Sequence, residues 1–188
     1  MNKIITAPHP TLRQESKDVV QIDKKVFRLL NDLQNALVRK KNPPGVGLSL
    51  PQIGHNLNVF ATLLPDKNNR LNYRVFINPK LIAASENMIT RHPGDKEDVL
   101  EGCLSVPSLY AVVARPEQVE FSFYTIENGK LIEKTEVFRD FPGRVMQHEL
   151  DHLQGVLFTD YLIDSDAPVF LGKNSGLEEI DKKILNSF

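Results

Sequence analysis

The sequence predicts one α+β domain over residues 1–188, in which mixed, mostly antiparallel sheets pack around a central helix that lies late in the chain. Three observations support this fold. Apolar residues recur at helical spacing near both ends of the chain, short β-like runs fill the middle, and no repeat or linker divides the sequence. We therefore expect an N-terminal helix, a series of strands, the central helix and a C-terminal helix.

Residues 23–40 predict the N-terminal helix. Val26, Leu30, Leu33 and Leu37 are spaced by three or four residues and form one apolar stripe. The proline- and glycine-rich stretch that follows at residues 42–45 ends the helix.

Short strands are predicted between the two helical regions. The segment 45–54 contains glycines and a proline, which predict a loop of defined shape rather than a helix or strand. Residues 85–98 are mostly polar and predict a loop on the surface. The last two runs are separated by Glu127-Asn128-Gly129-Lys130, which predicts a hairpin. The predicted strands are Asn58–Leu64, Tyr73–Asn78, Val99–Val106, Val119–Ile126 and Leu131–Phe138.

Two further helices are predicted after these strands. The central helix runs from Pro142, a residue suited to a first helical turn, to about Gln154. The tail fits a short amphipathic C-terminal helix through Leu177, Ile180 and Ile184.

Composition narrows the function classes. Hydrophobic residues make up 41% and charged residues 25%, as in ordinary globular proteins, and the net charge of −1 argues against direct readout of nucleic acid. No apolar run approaches the roughly 18 residues of a membrane span, and the N-terminus lacks the apolar core of a signal peptide. The single cysteine, Cys103, excludes an internal disulfide. We therefore expect a reducing, cytoplasmic location without membrane contact.

The segment 147–152, QHELDH, predicts a metal site on the central helix. Residues four apart share a helix face, so His148 and His152 can bind one ion, while Glu149 can reach a water beside it. The alternative is a helix that merely contains two histidines. A catalytic zinc-type site needs three protein ligands and one open position.

The third ligand has candidates on both sides of this segment. Phe158 stands where metzincin peptidases have their last histidine, so that arrangement is excluded. Glu178 or Glu179 downstream would suit a thermolysin-like peptidase, although both lie in a charge-alternating tail. Cys103 upstream is the other candidate, although a lone cysteine is more often a small buried hydrophobe.

Three ordered segments resemble the motifs of the peptide deformylases. GVGLSLPQ (45–52), EGCLS (101–105) and QHELDH (147–152) are similar to the family's GxGLAAxQ, EGCLS and HExDH. The resemblance extends from about residue 3 to residue 163. The chain departs from the family pattern at Ser49-Leu50, where two alanines are usual, and at the segment 141–144, FPGR.

The resemblance implies a metal held by Cys103, His148 and His152. Ferrous iron is the metal it implies first, with zinc, nickel or cobalt as alternatives. It further implies hydrolysis of the N-formyl group from the N-terminal formyl-methionine of newly synthesised polypeptides, which releases formate. The partners are then N-formyl-Met peptides and nascent chains.

The resemblance also assigns catalytic roles. A metal lowers the pKa of its bound water, so that hydroxide attacks the formyl carbon. Glu149 is expected to act as general base and then as general acid. The side-chain amide of Gln52 and the backbone N–H of Leu104 are expected to stabilise the oxyanion.

Further residues follow from motif positions. The substrate-binding candidates are Val46, Gly47, Gly102, Val99, Phe141 and Val145. The structural candidates are Gly45 and a pair formed by Glu101 and Arg115. A C-terminal helix docks some relatives on the ribosome, but Glu178, Glu179 and Asp181 oppose Lys182 and Lys183 here, so a ribosome contact would be transient.

Two other functions are weighed against this one. A peptidase that cuts internal bonds would take its third ligand downstream and leave Cys103 unused. A structural metal site or binding module would need a fourth protein ligand, and the sequence has no second cysteine to supply one.

Overall fold

The computed structural model describes residues 3–91 and 96–188 and confirms an α+β fold built from antiparallel sheets. The described residues form two α-helices, α1 (Lys24–Arg39) and α2 (Asp140–Leu153). The strands are β1 (Gly47–Ser49), β2 (Val59–Pro65), β3 (Leu71–Ala84), β4 (Met88–Ile89), β5 (Leu100–Cys103), β6 (Val106–Val112), β7 (Arg115–Pro116), β8 (Gln118–Glu127), β9 (Lys130–Arg139), β10 (Val169–Lys173) and β11 (Gly176–Ile180). Short 3₁₀ helices lie at Pro10–Arg13, Leu50–Ile53, Phe158–Leu162 and Lys182–Ser187.

Two sheets flank α2. The larger has the order β1-β2-β3-β8-β9 and the smaller the order β11-β10-β6-β5, with a separate β4-β7 pair. Met146 and Leu153 of α2 are buried among phenylalanines of the larger sheet, including Phe76 and Phe121. The opposite side of α2 meets β5, which carries Cys103. The central helix is therefore held between the two sheets, as the sequence predicted.

The N-terminal helix is confirmed within one residue at each end. Asp23 caps α1, since its Oδ1 accepts a hydrogen bond from the backbone N–H of Val26 at 2.8 Å. All four stripe residues named above are buried. They pack against Leu48 of β1 and Val59 of β2, which fixes the helix over the first motif.

The predicted hairpin is confirmed, whereas the run 99–106 proves to be two strands. Asn128 and Gly129 have φ values of 50° and 75°, so both adopt the left-handed conformation that a tight two-residue hairpin turn requires. In the run 99–106, Leu104 and Ser105 form a turn that joins β5 to β6. That turn contains neither glycine nor proline, so its sequence carries no turn signal.

The predicted C-terminal helix is wrong. Leu177 and Ile180 lie on β11, and Ile184 lies in the 3₁₀ helix Lys182–Ser187. Asn174 and Ser175 form the turn that reverses the chain between β10 and β11, and β10 pairs with β6 of the smaller sheet. The pairing with an existing sheet overrides the weak helical spacing of the tail.

The segment 85–98 is only partly irregular. Its residues Met88 and Ile89 form β4 and pair with Pro116 and Arg115 of β7. Residues 92–95 of the predicted excursion lie outside the described residues. Within the part of the chain that the structure describes, no helix is long and apolar enough to cross a membrane.

Candidate metal centre

Helix α2 presents both histidines and Glu149 to one site. The ring centroids of His148 and His152 lie 5.0 Å apart, one helical turn from each other. Both residues and Glu149 are largely withdrawn from solvent. The helical spacing in the sequence thus produces the predicted common face.

Cys103 joins the two histidines from β5. One ligand atom from each of Cys103, His148 and His152 can be chosen so that all lie within 4.8 Å of one another, and Cys103 Sγ lies 3.2 Å from His152 Nε2. Sulfur and nitrogen ligands of a tetrahedral site stand about 3.6 Å apart, given bond lengths near 2.3 and 2.1 Å. The donor set therefore fits one divalent transition metal.

The downstream candidates do not join this cluster. Glu178 and Glu179 lie on the exposed strand β11, and Glu178 pairs with Lys173. Among the described residues, the three-ligand cluster contains no carboxylate. A thermolysin-like arrangement is therefore not formed.

The sulfur of Cys103 is surrounded by hydrogen-bond donors. The backbone N–H of Ser105 lies 3.3 Å from Sγ and the side-chain amide nitrogen of Gln52 lies 3.7 Å from it. Both donors lie near the sulfur, which binds a metal as the thiolate.

Glu149 has the environment expected of a proton-transfer group. Burial raises the pKa of Glu149 to about 8, and its Oε2 has no hydrogen-bond partner among the described residues. Gly47 makes room for this carboxylate, because a Cβ on Gly47 would stand 2.3 Å from Glu149 Oε1. The glycine at position 47 is thus explained by close packing rather than by an unusual φ.

The amide of Gln52 is held in one orientation. Its Oε1 accepts hydrogen bonds from the Ser49 N–H at 2.8 Å and from the Ser49 hydroxyl at 3.0 Å. Its Nε2 is therefore turned towards Ser105 Oγ at 3.1 Å and towards the metal-ligand side of the site. The departure from alanine at position 49 adds a donor that helps to orient this amide.

Leu104 lies next to the metal-ligand cluster as well. It occupies the turn between β5 and β6, directly after Cys103, so its backbone N–H is outside the ladder that joins these strands. Ser105 anchors the turn, because its carbonyl accepts a hydrogen bond from the Ala7 N–H at 2.9 Å.

A buried charge network supports His148. Its Nδ1 lies 2.6 Å from Glu101 Oε1, so the carboxylate orients the ring and directs Nε2 towards the metal position. Arg115 bonds Glu101 at 2.5 Å through Nη2 and Asp151 at 2.7 Å through Nη1. Burial would raise the pKa of Glu101, but the hydrogen bond from His148 and the charge of Arg115 lower it below its usual range. The predicted Glu101–Arg115 pair is thus formed, and it is buried rather than superficial.

Arg144 belongs to this network as well. Its Nη1 donates to the Val113 carbonyl at 2.7 Å and to Glu101 Oε2 at 3.3 Å, and its Nη2 donates to the Ile89 carbonyl at 3.2 Å. The charges of the two arginines are balanced by Glu101 and Asp151. The departure at FPGR thus places a buried cation next to the substrate cavity.

A cavity of about 410 Å³ opens beside the cluster. Most of the predicted substrate residues line it, namely Val46, Gly47, Gly102, Phe141 and Val145, together with Gly45. Val99 is not among its described lining residues, and its neighbour Leu100 takes that place. Gly102 is needed because a Cβ there would stand 2.7 Å from the ring of Tyr110, which also lines the cavity.

Sequence reasoning missed several members of the site. Ser49, Asp151, Arg144 and Tyr110 were not predicted to take part. Asp151 also accepts a hydrogen bond from Tyr161 at 3.0 Å. Asp151 stands inside QHELDH and Ser49 inside GVGLSLPQ, so their positions in these segments were the available signal, whereas the partners of Arg144 are distant in sequence.

Fold and site together are those of a hydrolase with a Cys-His-His cluster that could hold a metal, a buried carboxylate beside it and an adjoining cavity. The family model for polypeptide deformylase matches residues 1–167, and the chain belongs to this family. Peptide deformylases are metal-dependent enzymes that remove the formyl group from N-terminal formyl-methionine.

Individual relatives agree with this assignment. The chain is 39% identical to a peptide deformylase of Pseudothermotoga lettingae, over 88% of this chain and 85% of the relative. It is 41% identical to peptide deformylase 2 of Vibrio cholerae, over 85% of each. The structure superposes on a peptide deformylase of Synechococcus elongatus in complex with actinonin with a TM-score of 0.69 and 32% identity, covering 85% of this chain and 77% of that one.

Proposed function

We propose that Cys103, His148 and His152 hold the metal with which this chain deformylates N-formyl-Met peptides, and that Glu149 transfers the protons. One observation carries this proposal. Glu149, whose buried Oε2 has no partner among the described residues, lines the cavity together with two of the three converging ligands, Cys103 and His148. A bound divalent metal supplies polarisation of the formyl carbonyl and a water of lowered pKa.

The residues of the chain account for the proton balance. The carboxylate of Glu149 accepts a proton from the attacking water as the new C–O bond forms. Gln52 Nε2 and the Leu104 N–H donate hydrogen bonds to the oxygen that becomes negatively charged. When the C–N bond breaks, Glu149 returns the proton to the leaving nitrogen. The products are formate and a peptide with a free amino terminus.

The cavity supplies the specificity for methionine in this proposal. Leu100, Phe141 and Val145 in its lining offer apolar surface, which suits a long unbranched side chain. The peptide backbone would lie between the segment containing Val46 and the strand containing Gly102, as an added strand.

We further propose ferrous iron as the resident metal, with zinc, nickel or cobalt able to replace it. Thiolate and imidazole ligands suit all four ions, so the ligand set narrows the choice of metal without fixing it.

Residues 1–188 form one catalytic domain that acts on nascent chains in the cytoplasm, with at most a transient ribosome contact.

The test is an assay of two substrates with the ferrous protein under anaerobic conditions. Formyl-Met-Ala-Ser should release formate, and a longer peptide without a formyl group should stay uncut. Cys103→Ser should lower the bound metal per chain as well as formate release. A Cys103→Ser protein that kept its full metal content and formate release would contradict the ligand assignment, and internal cleavage would favour a peptidase.

A further inference from the structure

A second cavity adjoins the catalytic one. It measures about 450 Å³ and lies between α1 and the segment before the first 3₁₀ helix. Lys40, Leu104 and Pro107 line both cavities, so the two share a wall. Leu104 directly follows the ligand Cys103, which places this shared wall beside the reaction centre.

The second cavity has an apolar floor. Ile4, Ala36 and Leu104 are half-buried there and pack against the core beneath α1. Pro107 adds exposed apolar surface. A floor of this kind can hold the side chains of an extended peptide, as apolar grooves do in other peptide-binding proteins.

The rim of the same cavity is cationic. Lys3, Arg39 and Lys40 line it against a single carboxylate, Asp32. Throughout the described ranges, no carboxylate forms an ion pair with any of these three cations. This local excess of positive charge stands out on a chain whose net charge is −1.

We propose that this basic groove, lined by Lys3, Ile4, Ala36, Arg39 and Lys40, binds the part of the nascent chain that follows formyl-methionine and favours acidic residues there. The proposal rests on the function proposed above. A deformylase substrate continues as a polypeptide, which must leave the catalytic cavity, and the groove is adjacent to that cavity because Lys40 and Leu104 line both. Carboxylates of that polypeptide would meet the unpaired cations of the rim.

A peptide is favoured over RNA as the occupant. The floor is apolar and shares Leu104 and Pro107 with the lining of the catalytic cavity, whereas a phosphate backbone would need a larger basic surface than three cations provide. Because the rim charges are exposed, their attraction should be weak and sensitive to salt.

The experiment compares three formylated peptides that differ only downstream. Each begins formyl-Met-Ala-Ser and continues with three glutamates, three glutamines or three lysines. At low ionic strength we expect kcat/KM for the glutamate peptide to exceed that for the glutamine peptide by roughly three- to tenfold, since exposed ion pairs are weak. The lysine peptide should be the poorest, and 0.5 M salt should remove most of the difference.

Two double variants test whether the preference for acidic peptides arises in the basic groove. Lys3→Glu combined with Arg39→Glu should abolish or reverse the ratio of kcat/KM between the glutamate and glutamine peptides. Lys25→Glu combined with Arg28→Glu makes the same charge change at the other end of α1, outside both cavities, and should keep the ratio. Because the readout is a ratio within each protein, a general loss of activity cancels.

The outcomes separate this proposal from the function on which it rests. Formate release at equal kcat/KM from all three peptides would overturn the groove and leave deformylation intact. An equal change of the ratio in both double variants would assign the effect to overall charge. Competition by single-stranded RNA without any acidic preference would make the groove an RNA contact. Absence of formate from every peptide would instead overturn the function.

Discussion

The two sides of the metal cluster differ in how completely their polar groups are paired. Behind His148, Glu101, Arg115 and Asp151 form a buried network in which each carboxylate has at least two partners. On the cavity side, Glu149 Oε2 has no partner among the described residues, although it is equally buried. The carboxylates behind His148 are all paired, and we call this the saturated side, whereas the carboxylate on the cavity side is not.

The difference indicates a division of tasks. Removing one member of a buried ion pair leaves an uncompensated charge. Substitutions on the saturated side should therefore destabilise the fold strongly, and the network holds His148 in place. Groups on the cavity side are buried and oriented but keep bonding capacity for the atoms that react. Four substitutions test this division, beginning with the largest expected effect.

Glu149→Gln should lower kcat by about 10²- to 10⁴-fold, the usual contribution of a general acid and base. The amide keeps the size of the side chain but cannot accept the proton of the attacking water. Metal content per chain, measured by elemental analysis, should stay unchanged because Glu149 is outside the ligand set. A variant with more than a tenth of the parent kcat would contradict the proton-transfer role.

Arg115→Met should lower the free energy of unfolding by about 3–5 kcal/mol, the cost of breaking a buried ion pair. The change leaves Glu101 and Asp151 without their shared partner. Urea unfolding of the metal-free parent and variant measures this loss of unfolding free energy.

Arg13→Met is the matched control for Arg115→Met. Arg13 pairs with Asp160 at 2.6 Å but is about a third exposed, so the loss should be about 1 kcal/mol or less. If both variants lost the same stability, the saturated side would be no more important for folding than the protein surface.

The sequence predicted the converging side chains of the cluster better than their supports. His148, Glu149 and His152 follow one helical period, and a local period survives folding. Arg144 lies on α2, but its acceptors come from the chain around Ile89, Glu101 and Val113, which only the assembled fold brings together. No local pattern encodes such a contact.

The errors in the fold have a similar origin. The tail had helical spacing, yet pairing of β10 with β6 made its residues 169–180 a hairpin. The turn at Leu104 and Ser105 had no glycine or proline to reveal it, although it sets the backbone next to Cys103. Pairing with a distant strand decided the first case, and the second turn carried no local signal in its residues.

Gln52→Leu should lower kcat by about 10²- to 10³-fold, the usual loss for one oxyanion donor. Leucine keeps most of the volume but donates no hydrogen bond, so KM should change much less than kcat. Steady-state kinetics with formyl-Met-Ala-Ser separate the two parameters. An unchanged kcat would show that this amide serves the loop 49–53 alone.

Ser49→Ala should have the smallest effect, a fall in kcat of roughly two- to fivefold, since one hydrogen bond is worth about 1 kcal/mol. The Ser49 N–H still donates to Gln52 Oε1 at 2.8 Å, so the amide loses only one of its two restraints. If the hydroxyl acts by orienting Gln52, the effect of Ser49→Ala should vanish in a Gln52→Leu background. An equal loss in both backgrounds would mean that Ser49 acts through packing, and the cavity side would then be less finely oriented than its hydrogen bonds indicate.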